Sequence, residues 1–276
     1  MKWSLTAEAA AQAWRDEMRR QFRAIVILES TVSDGSVEAL HDLRVAIRRL
    51  RVLLRALEKP LAHTTAKKLA RRWRNFTRGL SSLRDADVWR ALLRELPEAS
   101  PAFQRRVQDR LEQFSDRLAG LPTRYVWLRL KWETQTLLKK EAPAALKHPA
   151  QARPDRALQK TWIQATARAA KLAHSPQLAQ ADAAHKLRIA CRRARYLAEF
   201  LALACPSGKA CRAWQKAARC YLAAQDALGQ THDADALLNF LRIERLRPNA
   251  ALRAVLIRRR LQGVARFQKI WKRLDV

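Results

Sequence analysis

Two eleven-residue runs in this chain place the same basic side chains at the same spacing. His41-Asp42-Leu43-Arg44-Val45-Ala46-Ile47-Arg48-Arg49-Leu50-Arg51 and His185-Lys186-Leu187-Arg188-Ile189-Ala190-Cys191-Arg192-Arg193-Ala194-Arg195 both read H-x-L-R-x-A-x-R-R-x-R. On a helix that turns roughly 100° per residue, His41, Arg44, Arg48 and Arg51 fall within an arc of roughly 80°. Leu43, Ile47, Leu50, Leu54 and Leu57 gather on a separate arc, centred more than about 100° away. The second run repeats the pattern, with His185, Arg188, Arg192 and Arg195 opposite Leu187, Cys191, Ala194 and Ala198. Arg49 and Arg193 lie off the stripe. A guanidinium is a planar fork that donates two hydrogen bonds to two oxygens at once, which suits phosphate. The chemistry these residues could do is to hold a phosphate-bearing polyanion.

A charge run of this kind usually only solvates a helix face. Here the stripes hold almost no Asp or Glu, so the usual i,i+4 pairing is missing. Like charges three and four apart repel, and the same phase recurs in both runs. An anion is the natural compensator. Lys68 and Arg71 lie one turn apart on the helix that follows the first run, and Lys216 and Arg219 do so after the second. They are candidates for a second wall, with Arg124 and Arg266 as a third and Lys67, Arg72 and Arg78 as lesser contributors. His41 and His185 open the stripes, and beside phosphate their pKa is expected to rise toward the charged form. The pairs Asp85/Asp87 and Asp233/Asp235 could share a metal, but residues two apart on a helix face different ways. Their L-R-D-A-D and T-H-D-A-D settings read as helix starts, where a carboxylate caps backbone N–H groups. They could also lock neighbouring arginines in place.

The elements that position these residues are helical nearly throughout, with no convincing strand alternation. Helices are predicted near residues 5–30, 36–58, 62–80, 84–96, 101–119 and 123–140. A second set is predicted near 155–174, 178–204, 208–228, 233–246 and 249–272. Ser33-Asp34-Gly35-Ser36 offers a turn and a cap, and Pro60, Pro97, Pro101 and Pro122 punctuate the first half. The proline-bearing stretch 141–154 reads as a linker between halves of about 5–140 and 155–272. The halves echo one another beyond the two runs. Leu83-Arg84-Asp85-Ala86-Asp87 matches Thr231-His232-Asp233-Ala234-Asp235, and Arg124-Tyr125 matches Arg266-Phe267. This predicts an internal duplication, with two helical bundles related by a pseudo-twofold axis within a single domain spanning 1–276.

Composition agrees. The chain of 276 residues carries 55 Lys plus Arg against 25 Asp plus Glu, a formal charge of +30, which calls for a strongly anionic partner. Nearly half of it is hydrophobic and it has only 6 Gly, so a packed helical core is expected. No uncharged apolar stretch of about 18 residues suggests a membrane span. The first twenty residues lack a signal-peptide core. A cytoplasmic protein is expected, with no membrane association. Cys191, Cys205, Cys211 and Cys220 form no C-x-x-C pair and no zinc spacing, so they read as thiols, and no metal or cofactor is expected. Catalysis would need a carboxylate cluster, an activated nucleophile or a P-loop, and none is legible. Non-enzymatic binding is the expectation.

The doubled H-x-L-R-x-A-x-R-R-x-R helix, each followed by an R/H-D-A-D segment, resembles the CHAD family of histidine-bearing helical domains across roughly residues 5–272. The resemblance implies two four-helix bundles about a pseudo-twofold axis, with a basic central pore that binds inorganic polyphosphate. It also implies a link to polyphosphate granules. Its motif residues fall on His41, Arg44, Arg48 and Arg51, and on His185, Arg188, Arg192 and Arg195. The second run departs from the first with Lys186 for Asp42 and Ala194 for Leu50. The triphosphate-tunnel signature E-x-E-x-K that some relatives carry is missing, which reads as the binding module alone, as a monomer or a homodimer. The alternative is a nucleic-acid-binding basic helical protein, because counterion release favours any polyanion. Nucleic acid is expected only as a non-specific competitor, since no zinc finger, RRM or Gly-rich loop is present. Most of the nine Trp, including Trp14, Trp73, Trp127 and Trp162, sit at apolar helical positions and read as core rather than stacking platforms.

Overall fold

Leucine- and alanine-rich stripes at helical spacing fold into eleven α-helices among the described residues, and no strand is present among them. The computed structural model describes residues 5–33, 36–61, 63–118, 124–205 and 208–273. In chain order they are α1 (Ala7–Ser33), α2 (Val37–Ala56), α3 (His63–Arg94), α4 (Pro101–Leu118) and α5 (Arg124–Thr136). One π-helical turn, Leu137–Glu141, joins α5 to α6 (Ala142–Ala145). There follow α7 (Pro149–Ala152), α8 (Pro154–Ala173), α9 (Ala181–Ala204), α10 (Gly208–Ile243) and α11 (Ala250–Trp271). The all-helical expectation holds.

Three local expectations are corrected. The breaks predicted near residues 81–83 and 229–232 do not form: α3 and α10 each run straight through. Neither place holds a proline, and Gly229 inside α10 costs only about 1 kcal/mol relative to Ala. Leu228, Thr231 and Ala234, all buried, keep one packed face continuous across it. The pairs Asp85/Asp87 and Asp233/Asp235 therefore lie inside helices and not at their starts. The side chains of Asp85 and Asp87 lie outside the described residues. Finally, the stretch 141–154 is not bare linker: α6 and α7 occupy it, and Ala142 and Leu146 are buried.

Two compact units result, and each takes segments from before and after that stretch. The first comprises Met1–Ser81, Leu121–Gln164 and Arg195–Ala218. Its core sets Trp14, Met18 and Ile25 of α1 with Ile47, Leu50 and Leu54 of α2, all fully buried. Ser36 caps α2 by accepting from the Ala39 N–H at 3.2 Å. The Trp14 indole donates to the Leu53 carbonyl at 3.0 Å, so a buried polar atom is satisfied. Trp73 does likewise with the Thr134 hydroxyl at 3.0 Å, and packs edge-on to Phe76 and Trp127.

The second unit comprises Ser82–Gly120, Ala165–Ala194 and Arg219–Val276. Leu92 and Leu93 of α3, Val107 and Leu111 of α4, Leu237 and Leu241 of α10, and Leu252 and Leu256 of α11 make one cluster. Trp89 and Phe240 face each other within it at 4.7 Å. The helices α10 and α11 approach closely at Gly263. A Cβ there would lie 2.2 Å from the Thr231 hydroxyl and 2.8 Å from the Ala227 carbonyl. Only glycine permits this crossing, which sets where the arginines of α11 lie.

Candidate polyanion-binding faces

The first basic face belongs to α2 and the helix after it. Burial of Leu43, Ile47, Leu50 and Leu54 pins one arc of α2 to the core of its unit. On the other arc His41 is exposed, while Arg44, Arg48 and Arg51 are half-buried. The Nε atoms of Arg48 and Arg51, and that of Arg74 on α3, are buried without a hydrogen-bond partner. Buried donors are rarely left so. Among the described residues no carboxylate stands within 4.0 Å of Arg48, Arg51, Arg55, Arg74 or Arg78. Burial, followed by the neighbouring charges of Arg55, Arg74, Arg48 and Arg78, lowers the Arg51 guanidinium to about 10. It still carries its charge at neutral pH. This is a partly desolvated cluster of cations with no counter-charge among the described residues, an arrangement that an anion would stabilise.

Arg74 is the residue that sequence reasoning missed, although the signal was present. Lys67, Arg71, Arg74 and Arg78 recur at helical spacing along α3, so the second wall extends beyond Lys68 and Arg71. Lys67, Lys68 and Arg71 are all exposed.

Arg195, the last member of the second stripe, has a different setting. Its Nε lies 3.0 Å from a Glu199 carboxylate oxygen, and its guanidinium sits 4.7 Å from the Tyr196 ring. Glu199 also takes Arg49 at 2.8 Å. Position 199 matches position 55 when the two runs are superposed, so a Glu stands in the second run where the first has Arg. That one difference gives Arg195 a counter-charge, shared with Arg49, where Arg51 has none among the described residues. Arg195 falls in the first unit, apart from His185, Arg188 and Arg192 in the second.

The second basic face is built on α9 and α10. His185 stacks on His232 with ring centroids 4.8 Å apart. Arg188 lies over α10 beside Gly229, its Nε 3.8 Å from where a Cβ would stand. Burial first, then His232, Arg188 and Arg192, lower the His185 pKa to about 4. Within the protein alone the imidazole is therefore neutral at pH 7, whereas the sequence reading placed it beside phosphate and expected a rise. The Asp233 carboxylate lies 3.3 Å from His232 Nδ1. Asp235 lies 3.4 Å from Arg260 Nε, and burial raises its pKa despite Arg260 and His232. Asp235 thus meets an arginine, one of the two uses that the sequence suggested for these carboxylates.

The remaining candidates are peripheral. Lys216, Arg219 and Arg266 are exposed. Arg124 opens α5, and its side chain lies outside the described residues. Among the described residues no group of three or more His, Cys, Asp or Glu could hold a metal ion. The four thiols are unbridged, and burial pushes Cys191 up to about 12. No described helix is long and apolar enough to cross a membrane.

Comparison with known proteins agrees with this architecture. The family model of the CHAD domain matches residues 8–242. The fold is similar to PptA from Streptomyces chartreusis at 16% identity and a TM-score of 0.57, over 98% of this chain and 100% of that one. It is also similar to the CHAD domain from the plant Ricinus communis at 18% identity and a TM-score of 0.60, over 100% of this chain and 94% of that one. No curated protein matches the chain. With a family match over most of its length and an all-helical fold, the chain belongs to the CHAD domain family.

Proposed function

We propose that this chain binds inorganic polyphosphate on its basic helix faces, as a non-enzymatic binding protein that needs no cofactor. The family is linked in general terms to polyphosphate binding, which supports the ligand class. The observation that carries the reading is the cluster around Arg51: half-buried guanidinium groups, three of them with an unpartnered buried Nε, and no carboxylate within 4.0 Å of them among the described residues. A phosphate chain supplies closely spaced oxygens without bases or sugars, so it can enter between side chains that a duplex cannot pass. His185, Arg188 and Arg192, with His232, form a second basic face, in which Asp233 lies beside His232.

The test is a competition titration at near-physiological salt. Fluorescent long-chain polyphosphate is displaced with unlabelled polyphosphate, single-stranded DNA, duplex DNA and free phosphate. Displacement by polyphosphate alone is the expected result. Equal displacement by DNA would move the protein to the nucleic-acid reading, in which the charge of +30 acts on any polyanion. Arg48→Ala with Arg51→Ala is expected to weaken polyphosphate binding at least about tenfold and to flatten the salt slope by about 1–2. Unchanged affinity and slope would reject the first face. Arg188→Ala with Arg192→Ala tests the second, and the two double variants combined tell whether both faces serve one chain.

A further inference from the structure

A concave pocket of about 820 Å³ opens at the corner where α10 ends and α11 begins. Arg242 and Arg245 reach it from α10 and the residues just beyond, Arg247 from the connection, and Arg253 and Arg260 from α11. Leu238, Leu246, Pro248 and Ile257 give it an aliphatic lining. Its lining begins at Leu238, about 9 Å along the axis of α10 from His232, and Arg260 in that lining also meets Asp235. Among the described residues no carboxylate stands within 4.0 Å of Arg242, Arg245, Arg247 or Arg253. Glu244 is half-buried in the same turn, and Glu95 is taken by Arg259 at 3.4 Å.

Helix-end electrostatics account for Arg242, which sits in the last turn of α10 where a cation is favoured. They do not account for the backbone of Arg245 or for the position of Arg253. Arg245 has a φ of 55°, in the left-handed region. It occupies the turn that closes α10, where Leu246 N–H donates to the Leu241 carbonyl at 2.8 Å and Arg245 N–H to that of Arg242 at 3.3 Å. Glycine is the favoured residue at that position, so an arginine there costs stability. Arg253 follows one turn after the Asn249 cap of α11, near the positive end of the helix, and the first turn of α11 has no acidic residue. A cation is disfavoured there. Both placements cost stability, and both direct an arginine to the same pocket.

We propose that this pocket binds an organic phosphate of nucleotide size, its phosphoryl groups on the arginines and its apolar body on the aliphatic lining. The arginine fork fits phosphoryl oxygens. The volume lies within the range of about 300–1,000 Å³ typical of small-molecule sites. A bare phosphate chain would leave the aliphatic side unused.

The test titrates the full chain with N-methylanthraniloyl-ADP, followed by fluorescence. Arg245→Gly combined with Arg253→Ala is expected to weaken the probe at least about tenfold while leaving polyphosphate binding intact. Arg48→Ala with Arg51→Ala is expected to leave probe binding within about twofold. Unlabelled ADP should displace the probe at roughly a tenth of the pyrophosphate concentration, because only ADP uses the lining. Arg245→Gly alone is expected to melt about 2–4 °C higher, as relief of backbone strain requires. The proposal is overturned if the pocket variant binds the probe like wild type. It is equally overturned if the Arg48/Arg51 variant loses the probe to the same degree, or if pyrophosphate competes as well as ADP. A lower melting point for Arg245→Gly would remove the strain argument.

Discussion

At the scale of single residues, two groups carry a measurable electrostatic signature. Arg51 is held in its charged form among four other arginines, so its charge works against the free fold. Replacing it by Met, which keeps the apolar stem and drops the charge, is expected to stabilise the ligand-free protein by about 1 kcal/mol. The same change should reduce the gain in melting temperature expected from added polyphosphate. Thermal melts with and without polyphosphate check both, and a destabilised variant would mean that the guanidinium has an internal partner. His185 gives a pH signature. Its folded pKa of about 4 lies below its ordinary 6.5, so the unfolded chain takes up the proton first as pH falls. Stability is therefore fully present above pH 6.5 and lost between 6.5 and about 4. A bound polyanion acts in the opposite sense and raises this pKa, so binding takes up a proton. Affinity for polyphosphate should rise as pH falls below 7, by up to about tenfold per unit, and His185→Gln should flatten that profile. Both residues were legible in the sequence as members of a stripe, but their charge states were not. Those depend on burial and on Arg74 and His232, which only packing brings near.

At the scale of elements, the apolar arcs of α2 and α9 were readable because a period of 3.6 residues repeats over several turns. Leu43, Ile47 and Leu50, and Leu187, Cys191 and Ala194, are buried as that arc requires. Helix ends were harder to read. The breaks predicted near residues 81–83 and 229–232 do not form, and across Gly229 the buried Leu228, Thr231 and Ala234 keep one packed face of α10 continuous. The crossing of α10 and α11 at Gly263 is a contact of this long-range kind. Gly263→Ala would force a Cβ against the Thr231 hydroxyl and the Ala227 carbonyl. The expected cost is about 1–3 kcal/mol. Thr231→Ala should recover part of it by removing the closer contact, and denaturant melts of the two single variants and the double variant would show the coupling. Additive effects would place the strain elsewhere.

For the molecule as a whole, the dominant quantity is the charge of +30. Self-repulsion of that size works against the folded state and is screened over about 8 Å at physiological ionic strength. The free protein should therefore melt higher as sodium chloride is raised from low to moderate concentration, and polyphosphate should do the same at far lower concentration. A melting point that is flat in salt would show that the charges are already offset locally, as those of Arg195 and Arg49 are in part by the Glu199 they share. The chain's membership of the CHAD family fits this electrostatic character, since the family model spans the stretch that holds both arginine runs.

The sequence by itself determined the helical class, the two basic stripes and the family, because each rests on local spacing that survives in any packing of the helices. It also held the i+4 difference between Arg55 and Glu199, which separates Arg51 from Arg195. Only the tertiary structure decided which cations lack a partner, that His185 is neutral, that α3 and α10 are unbroken, and that five arginines converge on one corner of α10 and α11. The physical reason is the same in each case. Desolvation and ion pairing depend on neighbours far away in the chain, and their distances are set by the packing of helices rather than by the order of residues.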